Sequence, residues 1–83
     1  MKRMNLCELD EKTTLKLLEG YRTGSIADEK LEIKLYMDYR FRNFSAVELA
    51  AREHISRHTV YRKVNKVNDY LQSITGKNNK FNA

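Results

Sequence analysis

The chain has 83 residues, of which 41% are hydrophobic; it carries a net charge of +5 and contains no proline and three glycines. These values fit one small packed domain, favour helix and exclude a disordered chain. The single cysteine, Cys7, excludes an internal disulfide, and no apolar run is long enough for a signal peptide or a membrane span, so we expect a cytoplasmic protein without membrane contact.

The first helix is predicted from a cap and a glycine stop. Asp10 provides an N-cap, and the helix runs to about Glu19. Either Gly20 or Gly24 supplies the positive φ that ends it. We expect residues 1–83 to form a single domain whose ends, 1–8 and 77–83, are mobile.

The second helix is predicted to be broad and central. Asp28 caps it, and it extends from Glu29 to about Asn43. Its apolar residues cover more than half of the helix circumference, which is typical of a helix that packs in the middle of a domain or is shared with a second chain. These residues are Leu31, Ile33, Leu35, Tyr36, Met37, Tyr39 and Phe41.

A capping box marks the start of the third helix. Ser45 and Glu48 form the pattern S-x-x-E, in which each side chain satisfies a backbone donor at the helix start. Phe44 and Leu49 flank this cap at the spacing of a hydrophobic staple. The residues of this short helix that we expect to point inward are Val47, Leu49 and Ala50.

A short turn, Glu53-His54-Ile55, leads into a fourth helix that Ser56 caps and Gly76 ends. A continuous apolar seam along this helix follows steps of four, three, four and three residues. The seam either packs against the protein's own helices or, in its last part, joins a second copy of the chain. Its residues are Val60, Val64, Val67, Leu71 and Ile74.

Residues 45–74 have the spacing of a helix-turn-helix. A helix fits the major groove only when a second helix holds it out, and their close crossing favours a small residue such as Ala50, with Ile55 filling the space between them. If Val60 and Val64 point inward, we expect the opposite face of the fourth helix to carry Arg57, His58, Tyr61, Arg62 and Asn65. The residues predicted to contact DNA are Ser56, Arg57, His58, Thr59, Tyr61, Arg62, Lys63, Asn65 and Lys66.

The chemistry of this set suits duplex DNA. Its arginines can read guanine, and Asn65 can read adenine, each through two hydrogen bonds. Its hydroxyl groups and lysines suit phosphate, helped by the backbone donors at the helix start. The positive charge lies in the same half: residues 1–44 hold nine Lys/Arg and eight Asp/Glu, whereas residues 45–83 hold seven and three.

Three segments carry a resemblance to known proteins: Leu49-Ala50, Ile55-Ser56-Arg57 and Thr59-Val60-Tyr61-Arg62-Lys63-Val64. They are similar to the helix-turn-helix of bacterial and phage transcription regulators and of resolvase-type recombinases. The layout, with the long helix 29–43 ahead of the motif, also resembles region 4 of sigma factors, which makes RNA polymerase a candidate partner. Two residues depart from the common pattern, because Glu53 replaces an apolar residue and His54 replaces a glycine.

We therefore expect an all-α domain of four helices with a C-terminal helix-turn-helix and an extended recognition helix. Its expected function is sequence-specific binding of double-stranded DNA as a homodimer, which regulates transcription in a bacterium, phage or mobile element. One alternative is a DNA-architecture or assembly factor, such as an excisionase, a partition protein or a small terminase subunit. Another is a protein-interaction module that uses helix 29–43 without binding DNA.

We expect neither an enzyme nor a cofactor. The His54 and His58 spacing is broken by the turn, and only Cys7 could join them, so no metal site is predicted. The chain has no glycine-rich phosphate loop and no carboxylate pair in a convincing acid–base setting.

Overall fold

The computed structural model describes residues 9–75, which form four helices. The described residues contain no strand, so the predicted all-α class is confirmed. Residues 1–8 and 76–83, which include Cys7, Gly76 and the ends predicted to be mobile, lie outside the described part. The helices are α1 (Glu11–Leu18), α2 (Ile26–Phe41), α3 (Ala46–Glu53) and α4 (Arg57–Thr75).

The hydrophobic core lies where α4 packs against α2. Helix α3 packs across α4, and α1 touches both α2 and α4. Full burial of each large apolar side chain contributes about 1.5–3 kcal/mol, so this shared core is what fixes α4 on the domain. Its most deeply buried apolar residues are Leu35, Tyr36, Leu49, Val60, Val64, Val67 and Leu71.

Helix α1 begins as predicted. The Asp10 side chain accepts a 2.9 Å hydrogen bond from the backbone of Thr13, and hydrogen bonding from the side chain and then the backbone of Thr13 holds the pKa of Asp10 below its usual range. The helix ends at Leu18, one residue before the predicted end. The prediction that a glycine with positive φ ends the helix was wrong, because the C-cap Glu19 is right-handed and Gly24, whose φ is 98°, lies in the turn before α2.

Helix α2 begins three residues earlier than predicted. Its N-cap is Ser25, with an extended backbone and a side chain that accepts from the backbone of Asp28, so the assignment of Asp28 as the cap was wrong. The chain turns at Gly24, so the helix can begin directly after Ser25, and Asp28 lies within its first turn. The helix ends at Phe41, and Asn43, the predicted last residue, is left-handed with a φ of 61°.

The capping box of α3 is confirmed in both directions. The backbone N–H of Ser45 donates to Glu48 Oε1 at 2.8 Å, and that of Glu48 donates to Ser45 Oγ at 3.1 Å. The prediction that Val47 points inward was wrong, because its side chain is 56% exposed. Ala46 is buried instead, since it shares one helix face with Leu49 and Ala50 through spacings of three and four residues.

The turn between α3 and α4 has the geometry of a Schellman motif. His54 adopts the left-handed conformation, with φ 59° and ψ 43°. Its N–H donates to the carbonyl of Ala51, and the N–H of Ile55 donates to the carbonyl of Ala50 at 3.0 Å. Ile55 is partly buried and packs against the core, as predicted. The turn therefore has a defined shape although histidine replaces the usual glycine.

The apolar seam of α4 packs against the protein's own helices as far as Leu71. The four seam residues from Val60 to Leu71 are fully buried, whereas Ile74 is 46% exposed. Leu71 therefore belongs to the core of its own chain and is not available to a second copy, which leaves Ile74 as the only exposed residue of the seam.

Candidate nucleic-acid interface

The residues predicted to contact DNA lie on the first turns of α4 and at its cap. Helix α3 packs directly on α4, and the Schellman turn joins the two helices just before this end of α4. Six of the nine side chains are exposed: Ser56, Arg57, His58, Arg62, Asn65 and Lys66. The other three are half-buried: Thr59, Tyr61 and Lys63.

The first two turns of α4 carry two unpaired arginines. His58, Arg62 and Asn65 are exposed on the side of the helix opposite the buried Val60 and Val64. Within residues 9–75, neither Arg62 nor the exposed Arg57 at the helix start makes an ion pair. Their guanidinium groups therefore keep all of their donors for an external partner.

The hydroxyl groups at the start of α4 bond to each other. Ser56 Oγ accepts from the backbone N–H of Thr59 at 3.1 Å, and the two hydroxyl oxygens lie 2.9 Å apart. Ser56 is therefore the N-cap, as predicted. Its side chain already has partners in the free chain, so any phosphate contact adds to its role as a cap.

Tyr61 is oriented by the protein rather than projecting freely. Its ring packs edge-on against Tyr39 of α2, with ring centroids 6.2 Å apart and an interplanar angle of 86°. Edge-to-face pairs of this kind contribute about 0.5–1.5 kcal/mol beyond the buried area. The contact fixes one flank of the outward face to α2.

The two lysines of the predicted set meet a buried carboxylate. Glu32 Oε2 on α2 lies 3.4 Å from Lys63 Nζ and 3.6 Å from Lys66 Nζ. The sequence reasoning missed Glu32. A signal was present, because Glu32 shares a helix face with the core residues Leu35 and Tyr36 at spacings of three and four.

Tyr21 completes this buried cluster. Its hydroxyl donates to Glu32 Oε1 at 2.6 Å, and its ring packs edge-on against Tyr70 of α4 at 5.1 Å. Burial, followed by the hydrogen bond and the charge of Glu32, raises the pKa of Tyr21 well above its usual range. The phenol therefore stays a neutral donor to the carboxylate at physiological pH.

A second buried carboxylate holds α3. Asp38 Oδ2 of α2 accepts a 2.8 Å hydrogen bond from Arg52 of α3, and Asp38 Oδ1 lies 3.5 Å from Arg42. The hydrogen bond to Asp38 is the main cause of the raised pKa of Arg52. Arg52 also pairs with Glu53, so its charge is satisfied within the protein.

A comparison with known families identifies the class of domain. The family described as the Mga helix-turn-helix domain matches residues 24–80, which is more than half of the chain. The chain belongs to this family. The match supports a helix-turn-helix DNA-binding domain, but it does not confirm the finer resemblance to sigma region 4 or to resolvases. No curated protein and no solved structure matches the chain significantly.

In this Mga-family domain, the matched residues include α2, α3 and α4 but not α1. Two buried carboxylates that pair with the helix-turn-helix, Glu32 and Asp38, therefore lie inside the matched region. They bind α4 and α3, respectively, to α2. The helix-turn-helix is thus attached to α2 by charged contacts as well as by the apolar core.

Fewer basic residues of the helix-turn-helix are available to an external partner than the composition of the Mga-family domain indicates. Three of the five basic residues of segment 45–75 pair with carboxylates, namely Arg52, Lys63 and Lys66. The other two, Arg57 and Arg62, lie in the first two turns of α4. Asp69 is exposed seven residues after Arg62, on the same side of the helix, and it marks the end of the basic stretch.

Within residues 9–75, no group of three His, Cys, Asp or Glu side chains is placed to hold a metal ion. No described helix combines the length and the apolar character that crossing a membrane requires.

Proposed function

We propose that the chain regulates transcription by binding specific sequences of duplex DNA, with the first two turns of α4 in the major groove. The observation that carries this proposal is the position of Arg57 and Arg62. Both are exposed at the end of α4 that the turn presents, and both lack an ion-pair partner among the described residues. Arginines in this position are the usual readers of guanine.

The remaining side chains of the surface suggest a division of roles. Asn65 is exposed on the same side as Arg62 and has the donor and acceptor that adenine requires. Backbone N–H groups at the start of a helix favour a phosphate through their direction and through the helix dipole, so the start of α4 suits such a contact. Lys66, with a side chain 56% exposed, reaches the flank where a phosphate backbone would run.

Selection of bound duplexes from a random pool, using the full chain, tests whether binding is sequence-specific. We expect enrichment of a short motif that contains guanine, because two unpaired arginines are exposed in the first two turns of α4. A pool that remains random after several rounds, despite measurable binding, would restrict the chain to non-specific DNA binding. Footprinting of the motif in its source genome then separates two roles: a regulator protects a promoter, whereas an assembly factor protects repeated sites at one locus.

We also propose that the chain binds its site as a homodimer. A single helix-turn-helix contacts few base pairs, and most such proteins gain specificity by placing two copies on adjacent half-sites. The expected site is therefore a repeat whose half-sites lie about 34–36 Å apart, one helical turn. Sedimentation of the chain with a selected duplex measures the stoichiometry, and one copy on every selected site would exclude the dimer.

A further inference from the structure

We propose that Glu32 is a positioning residue of the DNA-binding surface: it holds Lys63 within the protein and competes with DNA phosphate for Lys66. This inference rests on the proposed function of α4. It separates two lysines that the sequence alone presents as equivalent phosphate contacts, and it assigns a role in binding to a residue that lies outside the helix-turn-helix.

The surroundings of Glu32 require a compensating charge. Its side chain is only 3% exposed, and an ionised carboxylate at such a position is costly unless it is paired and hydrogen-bonded. The hydroxyl of Tyr21 satisfies Oε1. Oε2 then faces α4, where Lys63 and Lys66 are its basic partners among the described residues.

The two lysines differ in their access to solvent. The side chain of Lys63 is 20% exposed, whereas that of Lys66 is 56% exposed. The ion pair with Glu32 therefore stabilises Lys63 more than Lys66, and turning outward to a phosphate would cost Lys63 more of that stabilisation. Lys66 forms the longer contact from an exposed position, where ion pairs are weak, so its ammonium can exchange Glu32 for a phosphate at small cost.

This arrangement limits non-specific binding. Each lysine that neutralises a phosphate adds sequence-independent affinity, through counterion release. Because Glu32 retains Lys63, the outward surface relies more on Arg57 and Arg62, which can read bases. Tyr21 and Glu32 also connect α4 to α2 and to the segment that follows α1, so the same cluster sets the direction in which α4 projects.

The salt dependence of DNA affinity measures the number of phosphates that lysines neutralise. We suggest fluorescence anisotropy with a selected duplex and an unrelated duplex, comparing the full wild-type chain with Glu32→Gln, Lys63→Gln and Lys66→Ala. Each phosphate contact contributes about 0.9 to the slope of log affinity against log salt. One contact more or less therefore changes the affinity lost over a fourfold rise in salt by about three- to fourfold.

Glu32→Gln is expected to release Lys63, to steepen the slope by about one contact and to strengthen binding to the unrelated duplex at low salt. Lys66→Ala is expected to make the slope shallower by about one contact, whereas Lys63→Gln leaves it nearly unchanged. Glu19→Gln is the matched control, because it makes the same chemical change at an exposed carboxylate in the segment after α1, and its slope should equal that of the wild type.

An unchanged or shallower slope in a folded Glu32→Gln variant would overturn the proposal, as would equal losses of slope in Lys63→Gln and Lys66→Ala. Circular dichroism verifies folding. If Glu32→Gln does not fold, the comparison of the two lysine variants decides the question alone. A wild-type chain whose affinity does not depend on salt would instead refute the proposed function itself, and the role of Glu32 with it.

Discussion

Arg52 of α3 donates a 2.8 Å hydrogen bond to the buried carboxylate of Asp38 on α2. The contact joins the first helix of the helix-turn-helix to the central helix of the domain. Since α3 in turn holds α4, this pair helps to fix the angle at which α4 leaves the protein. The adjacent Phe44 ring lies 5.4 Å from the same guanidinium and covers it on one side.

Replacing Arg52 is expected to destabilise the fold. Arg52→Ala leaves Asp38 with the longer contact to Arg42 alone, so we expect a loss of about 1–3 kcal/mol in the free energy of unfolding, the usual range for hydrogen bonds to charged groups. Urea denaturation measures it. Glu11→Gln is the control, because it breaks the exposed pair with Arg42 without removing a partner of Asp38, and it should cost less than about 1 kcal/mol. Equal losses of unfolding free energy in the two variants would show that the contact to the buried Asp38 stabilises the fold no more than an exposed ion pair does.

The turn offers a stabilising substitution. His54 has a φ of 59°, a conformation that costs a residue with a Cβ atom about 1–2 kcal/mol relative to glycine. His54→Gly should therefore increase the free energy of unfolding by about 0.5–1 kcal/mol, after the greater freedom of glycine in the unfolded chain is subtracted. Thermal and urea denaturation measure the change. His54→Val, which is β-branched, should destabilise the domain, and a stabilising valine would contradict the left-handed geometry.

Tyr21 makes the stability of the domain sensitive to alkaline pH. Its pKa is raised in the folded state, so the folded chain retains the phenol proton after the unfolded chain has lost it. The stabilisation is complete below the unfolded pKa of about 10 and decreases as pH rises above that value. Denaturation midpoints between pH 8 and pH 11 should fall less steeply in Tyr21→Phe than in the wild type. The same slope in both would remove Tyr21 as the cause; Tyr70→Phe serves as the control.

Asp69 should weaken DNA binding at low salt. Its exposed carboxylate lies on the same side of α4 as Arg62, where it repels phosphate. Asp69→Asn is therefore expected to increase affinity for all duplexes by a few-fold, and the gain should disappear as salt screens the charge. Glu19→Gln removes an exposed carboxylate from the segment after α1 and should leave the affinity unchanged. A gain at Asp69 that persists at high salt would exclude simple repulsion.

Local signals predicted most of the fold. The capping box at Ser45, the cap at Ser56 and the seam from Val60 to Leu71 depend on residues a few positions apart, and the structure has all of them. The start of α2 was misplaced because Ser25 and Asp28 are both good caps. The choice between them depends on the turn at Gly24 and on Glu29, which accepts from the backbone N–H groups of that turn.

The charged contacts behind the candidate interface were not predictable in the same way. Glu32 meets Tyr21 eleven residues away and Lys63 thirty-one residues away, and Asp38 meets Arg52 across fourteen. Such pairs exist only once the helices have packed, so periodicity within one helix cannot reveal them. Val47 was misassigned for a related reason: in a helix of eight residues, the neighbouring helices decide which face is buried.

The affinity of the Arg57→Ala/Arg62→Ala double variant for a selected duplex tests the central claim most directly. Each single substitution should cost about 1–3 kcal/mol of binding free energy and relax selectivity at one base pair. Lys12→Ala, which removes an exposed positive charge from α1, is the control and should bind like the wild type. We expect the folded double variant to bind selected and unrelated duplexes with nearly equal affinity. Undiminished affinity and selectivity in that variant would contradict the assignment of α4 as the helix that reads DNA.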